Sequence, residues 1–261
     1  GENLAAPKKY PPPHPPPRAA ALFASLSSPA LIAQDHQRYD ANWNSLAHHT
    51  EAPEWFRDAK FGIYFHWGVY SVPAFATEWY PRHMHQEGKK VFNHHVENYG
   101  HPSEFGYHDF IPMFKAEHFD ADEWARLFES AGARFAGPVA EHHDGFAMWD
   151  SDATPWNTVD MGPKRDITGE ISAAIRKRGM KLITTFHHAR NLQRCVKDPN
   201  QDLDKPHSCK FCFHSHFQAF EGMPTTTEDP KLKLLYGRME EGEWLDRMWL
   251  GKLHEVMDRY K

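Results

Sequence analysis

Histidines follow three short apolar segments of the chain, and they are the first residues that point to chemistry. In chain order the segments and histidines are 61–65 with His66, 135–141 with His142 and His143, and 180–186 with His187 and His188. A neutral imidazole both donates and accepts hydrogen bonds, so it can hold a hydroxyl group of a ligand in a fixed direction. The repeated pattern indicates strands that each end at a ligand pocket.

The first of these segments, Phe61–Phe65, is short, aromatic and bounded by Lys60 and Gly68. Those features favour a strand buried on both faces over a helix. In α/β proteins the carboxyl ends of parallel strands carry the loops that bind ligands. Glu78 and Trp79 follow the same strand, so a carboxylate and an indole are expected near its carboxyl end.

The composition is compatible with a sugar ligand and argues against other partners. The 261 residues include 20 His and 9 Trp, and aromatic faces with neutral hydrogen-bonding rings suit the C–H faces and hydroxyl edges of a pyranose. The net charge is −5 and no basic stripe is present, so nucleic acid and a membrane surface are not expected as partners. No apolar run approaches the roughly 20 residues of a membrane span.

Six short motifs occur in one order along the middle of the chain. They are Asp58-Ala-Lys-Phe-Gly, His66-Trp67-Gly68, Ser71-Val-Pro, Glu78-Trp79-Tyr80, His142-His143-Asp144-Gly145-Phe146 and Gly162-Pro-Lys-Arg-Asp166. This ordered set closely resembles the alpha-L-fucosidase glycoside hydrolases, from about residue 54 to about residue 186. The resemblance implies an enzyme that removes terminal alpha-L-fucose, with retention, from fucosylated oligosaccharides or polysaccharides.

The resemblance also implies an α/β fold with a (β/α)8-type barrel. This chain would hold about the first three β/α units of an incomplete barrel, which leaves a strand edge unpaired. We therefore expect residues 51–261 to be the N-terminal portion of a catalytic barrel domain that requires the remainder of its own barrel. A secreted, periplasmic or lysosome-like location is expected.

The fucose subsite implied by the resemblance is lined by six residues. They are His66, Glu78, Trp79, His142, His143 and His187. His187 and His188 stand where relatives often carry an aromatic residue and a serine, and one of the two histidines is expected to contact the sugar. We expect no cofactor and no metal at this subsite.

Retaining glycosidases need two carboxyl groups about 5 to 5.5 Å apart, and the resemblance places both after Lys261. Residues 1–261 therefore contain no expected catalytic residue, and this chain alone is expected to be inactive. Should it be active, the first candidates are Glu78, Glu141, Asp144 and Asp150. The alternative function is a non-catalytic fucose-binding protein derived from such an enzyme.

Amphipathic helices are expected at 120–132, with Asp120 as N-cap, and at 166–178, with Gly179 as the stop. Their expected buried positions are Trp124, Leu127, Phe128 and Ala131 in the first helix, and Ile167, Ile171, Ala174 and Ile175 in the second. Strand–helix alternation predicts parallel strands with right-handed crossovers. A third amphipathic helix is expected from Glu243 to Tyr260.

Three regions are expected to be irregular. Residues 1–50 form a Pro-rich arm with short helices at Ala19–Ala33 and Asp40–His49, and residues 82–112 form a long loop whose histidines are mostly solvated. Residues 190–230 form an insertion that contains cysteines and histidines. Its Cys209-Lys-Phe-Cys212-Phe-His214-Ser-His216 segment allows structural zinc, a disulfide or free thiols, and Cys195 is the third cysteine.

Two residues near the motifs keep alternative interpretations. Glu141 forms a salt bridge with Arg165 or Lys164, which we favour, or it raises the pKa of a neighbouring group. Trp67 lines the pocket or belongs to the core.

Overall fold

The computed structural model describes residue 40 and residues 42–49, 52–191, 230–237 and 239–261. The chain divides into two compact units, Gly1–Glu51 and Ala52–Lys261. In the first unit, helix α1 spans Trp43–Leu46, which is shorter than the helix expected at 40–49. The polyproline arm, the helix expected at 19–33 and the Cys/His insertion with Cys195, Cys209 and Cys212 lie outside the described residues.

The second unit alternates helices with the strands of a parallel sheet. Its α-helices are α2 (Glu54–Ala59), α3 (Tyr80–His83), α4 (Lys90–Tyr99), α5 (Ala121–Ser130), α6 (Ile167–Lys177), α7 (Pro230–Leu235), α8 (Glu241–Glu243) and α9 (Lys252–Arg259). Its strands are β1 (Gly62–Phe65), β2 (Phe135–Glu141), β3 (Lys181–Leu182) and β4 (Thr185–Phe186), and 3-10 turns span Val69–Ser71, Tyr107–Met113 and His188–Arg190. None of the described helices has the length and apolar character to cross a membrane.

Strand β2 is the centre of the described sheet, and all its pairings are parallel, as predicted. It pairs with β1 on one side, from Gly62 opposite Phe135 to Phe65 opposite Pro138. On the other side the expected third strand is divided into β3 and β4. Gly137 permits this close pairing, because a β-carbon at that position would lie 1.5 Å from the carbonyl oxygen of Ile183.

Strand β1 is not buried on both faces, so that expectation was wrong. The Tyr64 side chain is 54 % exposed, whereas Ile63 and Phe65 pack against the main core. The reason is that successive side chains of a strand point to opposite faces. Helix α5 covers only the Phe65 face, where Trp124 and Phe128 place their ring centroids 5.3 and 5.6 Å from the Phe65 ring.

Helices α5 and α6 form where the pattern predicts them. The Asp120 side chain accepts a hydrogen bond from the Glu123 backbone, and the Asp166 side chain accepts one from the Gly169 backbone. The four apolar positions predicted for α6 are all buried: Ile167, Ile171, Ala174 and Ile175.

Two of the four buried positions predicted for α5 are confirmed, since Phe128 is buried and Trp124 packs partly buried against the main core, and two were wrong. Ala125 and Phe128 are buried, Leu127 is 60 % exposed and Ala131 is exposed. Positions 121, 125 and 128 share one face at the helical period, and Leu127 lies well away from its centre. The small side chain of Ala125 therefore faces the core, and Leu127 does not.

The expectation of a long solvated loop over residues 82–112 was also wrong. The region contains helix α4 and a 3-10 turn, and none of its six histidines is exposed: His83, His85, His94, His95, His101 and His108. His95 is fully buried, with Nδ1 3.0 Å from the Tyr80 hydroxyl and Nε2 2.9 Å from the Phe105 carbonyl oxygen. Burial lowers the pKa of His85 to about 3, so this region packs neutral imidazoles into a core.

The predicted C-terminal helix is present as a continuous series of α8, a π-helix over Trp244–Gly251 and α9. Glu255 of α9 attaches this helix to the segment after β2. Its carboxylate accepts hydrogen bonds from the Trp149 indole at 2.9 Å and the Ser151 hydroxyl at 2.7 Å. The backbone N–H groups of Asp152 and Ala153 also donate to it, both at 2.9 Å.

We expect Glu255→Ala to lower the free energy of unfolding by about 2–4 kcal/mol, because it leaves four donors without their acceptor. Urea unfolding followed by far-ultraviolet circular dichroism measures this loss. Asp258→Ala on the exposed side of the same helix is the matched control and is expected to change stability by no more than about 0.5 kcal/mol. Equal losses in the two variants would contradict an anchoring role for Glu255.

Candidate functional site

Three histidines from different strands meet at one edge of the sheet. His66 follows β1, His142 follows β2 and His187 follows β4. The His66 ring centroid lies 5.2 Å from that of His142 and 5.0 Å from that of His187, and the last two are 5.1 Å apart. Because the strands are parallel, residues far apart in sequence share one pocket, as the strand-end pattern predicts.

His143 and Trp79 extend this group on one side. The His143 ring centroid lies 4.6 Å from that of His142 and 5.7 Å from that of His187. The indole of Trp79 lies 5.2 Å from the His143 ring and 6.1 Å from the His142 ring. Trp79 is at the N-cap of α3, where its backbone N–H donates to the Thr77 hydroxyl. The structure therefore brings five of the six predicted site residues together.

Glu78, the sixth predicted residue, is half-buried, and its negative charge acts on Tyr70. The pKa of Tyr70 rises well above its usual value, first because of burial and then because of the negative charges of Asp144 and Glu78. The Tyr70 ring lies 5.5 Å from that of His142. Sequence reasoning missed Tyr70, since a tyrosine in an apolar stretch gives no signal for a pocket.

The most buried imidazole of the pocket, that of His142, is neutral. The pKa of His142 is lowered to about 2, by burial first and then by the neighbouring His143, His187 and His66. A neutral ring keeps one donor and one acceptor nitrogen. This chemistry suits an uncharged ligand that carries hydroxyl groups, and His66, His142 and His187 also offer three nitrogens that could hold a metal ion.

Asp144 is a buried carboxyl that is already engaged by neighbouring donors. The Tyr107 hydroxyl donates to it at 2.7 Å and the Phe146 backbone N–H at 3.3 Å. Burial raises the pKa of Asp144 to about 6, although these hydrogen bonds oppose the rise. Tyr107 is a second residue that sequence reasoning missed, and its role is to hold the turn after His143 through Asp144.

Glu141 forms a salt bridge, but the expected partners, Arg165 and Lys164, were wrong. The Nζ atom of Lys252 lies 2.8 Å from Oε1 and 2.7 Å from Oε2 of Glu141, and both side chains are fully buried. Arg165 instead pairs with Glu170. The carboxyl end of β2 faces α9, so the partner of Glu141 comes from the C-terminal helix. Burial raises the pKa of Glu141 to about 7 and Lys252 opposes this rise.

Two residues adjacent to the pocket belong to the core. Trp67 packs against Phe114, Phe119 and Trp124, with ring centroids 5.1 to 5.2 Å away. His188 is 1 % exposed and its ring lies 4.5 Å from that of Trp249. Of the two consecutive histidines after β4, His187 is therefore the one in the pocket.

The family of the chain follows from its comparison with known proteins. A family model described as alpha-L-fucosidase matches residues 26–261. The chain belongs to the alpha-L-fucosidase family. The pocket at the carboxyl ends of β1, β2 and β4 lies inside the matched region, and so do all six motifs.

Curated alpha-L-fucosidases are similar to most of the chain. Tissue alpha-L-fucosidase of Homo sapiens is 37 % identical over 211 residues, and that of Rattus norvegicus is 43 % identical over 211 residues. Each alignment covers 78 % of this chain and 42 % of the relative. The chain thus spans about two fifths of the length of these alpha-L-fucosidases.

Solved structures of Thermotoga maritima alpha-fucosidase are also similar. The complex with fucose is 41 % identical, with a TM-score of 0.54, and covers 57 % of this chain and 37 % of that chain. The complex with a mechanism-based inhibitor is 31 % identical, with a TM-score of 0.63, and covers 85 % of this chain and 48 % of that chain. The structural similarity of this chain to an alpha-L-fucosidase therefore extends well beyond the motifs.

Removal of the buried Lys252 charge is expected to destabilise the protein strongly. Lys252→Met leaves the Glu141 carboxylate buried without a partner, which costs about 3–5 kcal/mol at pH 8. A carboxyl whose pKa is raised in the folded state stabilises that state below its ordinary pKa, and this contribution is lost as pH rises through the folded value. The cost of Lys252→Met should therefore shrink as pH falls from 8 to 5.

Urea unfolding at pH 5, 6, 7 and 8 measures this dependence. Glu141→Gln with Lys252→Met should recover most of the stability at pH 8, because no charge is then buried. Lys177→Met is the control, since its pair with Asp122 is exposed and is worth about 0–1 kcal/mol. A cost for Lys252→Met that does not vary with pH would contradict the assigned pairing.

Proposed function

We propose that residues 52–261 provide the fucose-binding part of a retaining, exo-acting alpha-L-fucosidase. The observation that supports this most directly is the convergence of imidazoles with Trp79 at one sheet edge, in a chain of the alpha-L-fucosidase family. A Thermotoga maritima relative is known in complex with fucose. The proposed substrate is a fucosylated oligosaccharide or polysaccharide with a terminal alpha-L-fucose.

The pocket chemistry supports a deoxysugar in particular. The imidazoles of His66, His142, His143 and His187 provide hydrogen-bonding nitrogens for ring hydroxyls. The indole of Trp79 offers an apolar face on which the C5-methyl side of fucose packs. Glu78, which the family resemblance places in the same subsite, is proposed as an acceptor for a further hydroxyl. The combination matches a ligand with one polar edge and one apolar edge.

The catalytic carboxyl groups are proposed to come from sequence beyond Lys261. Among the candidates within the chain, Glu141 is paired with Lys252 and Asp150 with Arg259. Asp144 is held by Tyr107. A nucleophile and an acid/base about 5 to 5.5 Å apart are needed for retention, so the proposed enzyme completes a (β/α)8 barrel, of which residues 51–261 supply about the first three units.

This proposal sets the expected location and the remaining alternative. An enzyme that acts on glycans is proposed to work in a secreted, periplasmic or lysosome-like compartment. If the chain is instead a non-catalytic fucose-binding protein, the same pocket binds the sugar and no carboxyl pair is needed. The enzyme and the non-catalytic protein would share this binding site and would differ only in whether they hydrolyse the glycosidic bond.

Titration calorimetry with L-fucose tests the binding site on the full chain. His142→Gln and Trp79→Ala are each expected to weaken fucose binding about tenfold or more, because each removes a hydrogen bond or apolar contact worth about 1–2 kcal/mol. His118→Gln is the matched control, since His118 is exposed and outside the pocket. Unchanged affinity for L-fucose in both pocket variants, with normal thermal unfolding, would contradict the assignment of this pocket as the fucose site.

Hydrolysis of an aryl alpha-L-fucoside separates the enzyme from the binding protein. A longer chain that continues past Lys261 should release the aryl group, whereas residues 1–261 alone should not. Turnover by the short chain would show that a carboxyl pair lies inside it, and Glu78→Gln would then be the first variant to assay. Fucose binding without turnover in either length would favour the non-catalytic alternative.

A further inference from the structure

Three imidazoles of the pocket are arranged so that they can coordinate one metal ion. His66, His142 and His187 each offer one ring nitrogen, and these three nitrogens lie within 4.8 Å of one another. Each histidine comes from the end of a different strand, β1, β2 or β4, so the sheet fixes their backbones. Only the side-chain torsions remain free to adjust the positions of the nitrogens.

The required adjustment is small for a tetrahedral metal. A metal–nitrogen distance of 2.0–2.1 Å places tetrahedral ligand nitrogens roughly 3.3 Å apart, so side-chain rotation must close the widest separation by about 1.5 Å. Imidazole is a good ligand for Zn²⁺, Cu²⁺ and Ni²⁺. Three protein nitrogens with a fourth open position is also the arrangement of zinc sites that bind an exchangeable ligand.

We propose that His66, His142 and His187 bind a divalent transition metal, with Zn²⁺ as the model ion, at the position that a sugar would otherwise occupy. All three histidines are needed, because loss of any one of them leaves only two ring nitrogens. Metal and fucose are then mutually exclusive ligands of one pocket. The metal site does not depend on the proposed fucosidase activity.

Another set of metal-binding side chains in the sequence must be separated from this one. Cys209 and Cys212, with His214 and His216, lie outside the described residues and carry thiolates and imidazoles. Cys209→Ser with Cys212→Ser removes both thiols from that set. All titrations are therefore run on the full chain with and without this double substitution.

Co²⁺ reports the site directly, because four-coordinate Co²⁺ gives an intense visible absorption that thiolate ligands shift to longer wavelength. We expect the full chain and the double cysteine variant to bind one Co²⁺ with the same spectrum. His187→Gln and His66→Gln should each weaken binding about 100-fold or more, since loss of a ligand exceeds the 10–100-fold effect of its outer-shell partners. His118→Gln should leave binding unchanged.

Fucose competition and electron paramagnetic resonance complete the test. Saturating L-fucose should displace Co²⁺, while fucose binding measured in a chelator reports the sugar site separately, so failure of one proposal is distinguishable from failure of the other. Pulsed resonance of bound Cu²⁺ should show imidazole nitrogens in the unsubstituted chain, which requires no variant to fold. Absence of binding, or binding that is lost with the two cysteines and kept in His187→Gln, overturns the metal site.

Discussion

The parallel pairing of β1 and β4 with β2 is the constraint on which the pocket depends. The register places Phe65 opposite Pro138 and Glu141 opposite Phe186, so the carboxyl ends of all three strands point to the same edge of the sheet. His66, His142 and His187 directly follow β1, β2 and β4, and their rings meet at that edge. Gly137 is part of this constraint, because any side chain there would push the Ile183 backbone away from β2.

Two buried carboxyl groups next to the pocket are each engaged by a neighbouring side chain. Glu141 is neutralised by Lys252 of α9, and Asp144 is held by the Tyr107 hydroxyl. Both carboxyl groups adjoin the His142–His143 pair in sequence, and the pKa of His142 is lowered to about 2 by burial first and then by the neighbouring histidines. The C-terminal helix thus acts on the pocket from a distance, since it supplies the charge that allows Glu141 to be buried.

The sequence was most informative where a single local rule decides the structure. Asp120 and Asp166 are N-caps with a donor three residues later, and the strand ends follow from period and length. It was least informative where the partner is remote or polar. Lys252 lies 111 residues from Glu141, and no local pattern links them. The burial of His95 depends on the surrounding aromatic rings of Tyr80 and Phe105, whereas its own helix is mostly polar, so the sequence favoured a solvated loop.

The alternation of side chains after β4 decides which of two consecutive histidines enters the pocket. The pairing of β2 with β4 is irregular between Val139 and Glu141, which face Thr185 and Phe186. The His187 backbone N–H then donates to the Glu141 carbonyl at 2.9 Å, and this bond sets the direction of the next side chains. A shift of one residue would exchange the places of His187 and His188, and the imidazole now packed on Trp249 would enter the pocket instead. The irregularity in β2 therefore determines which of the two histidines enters the pocket.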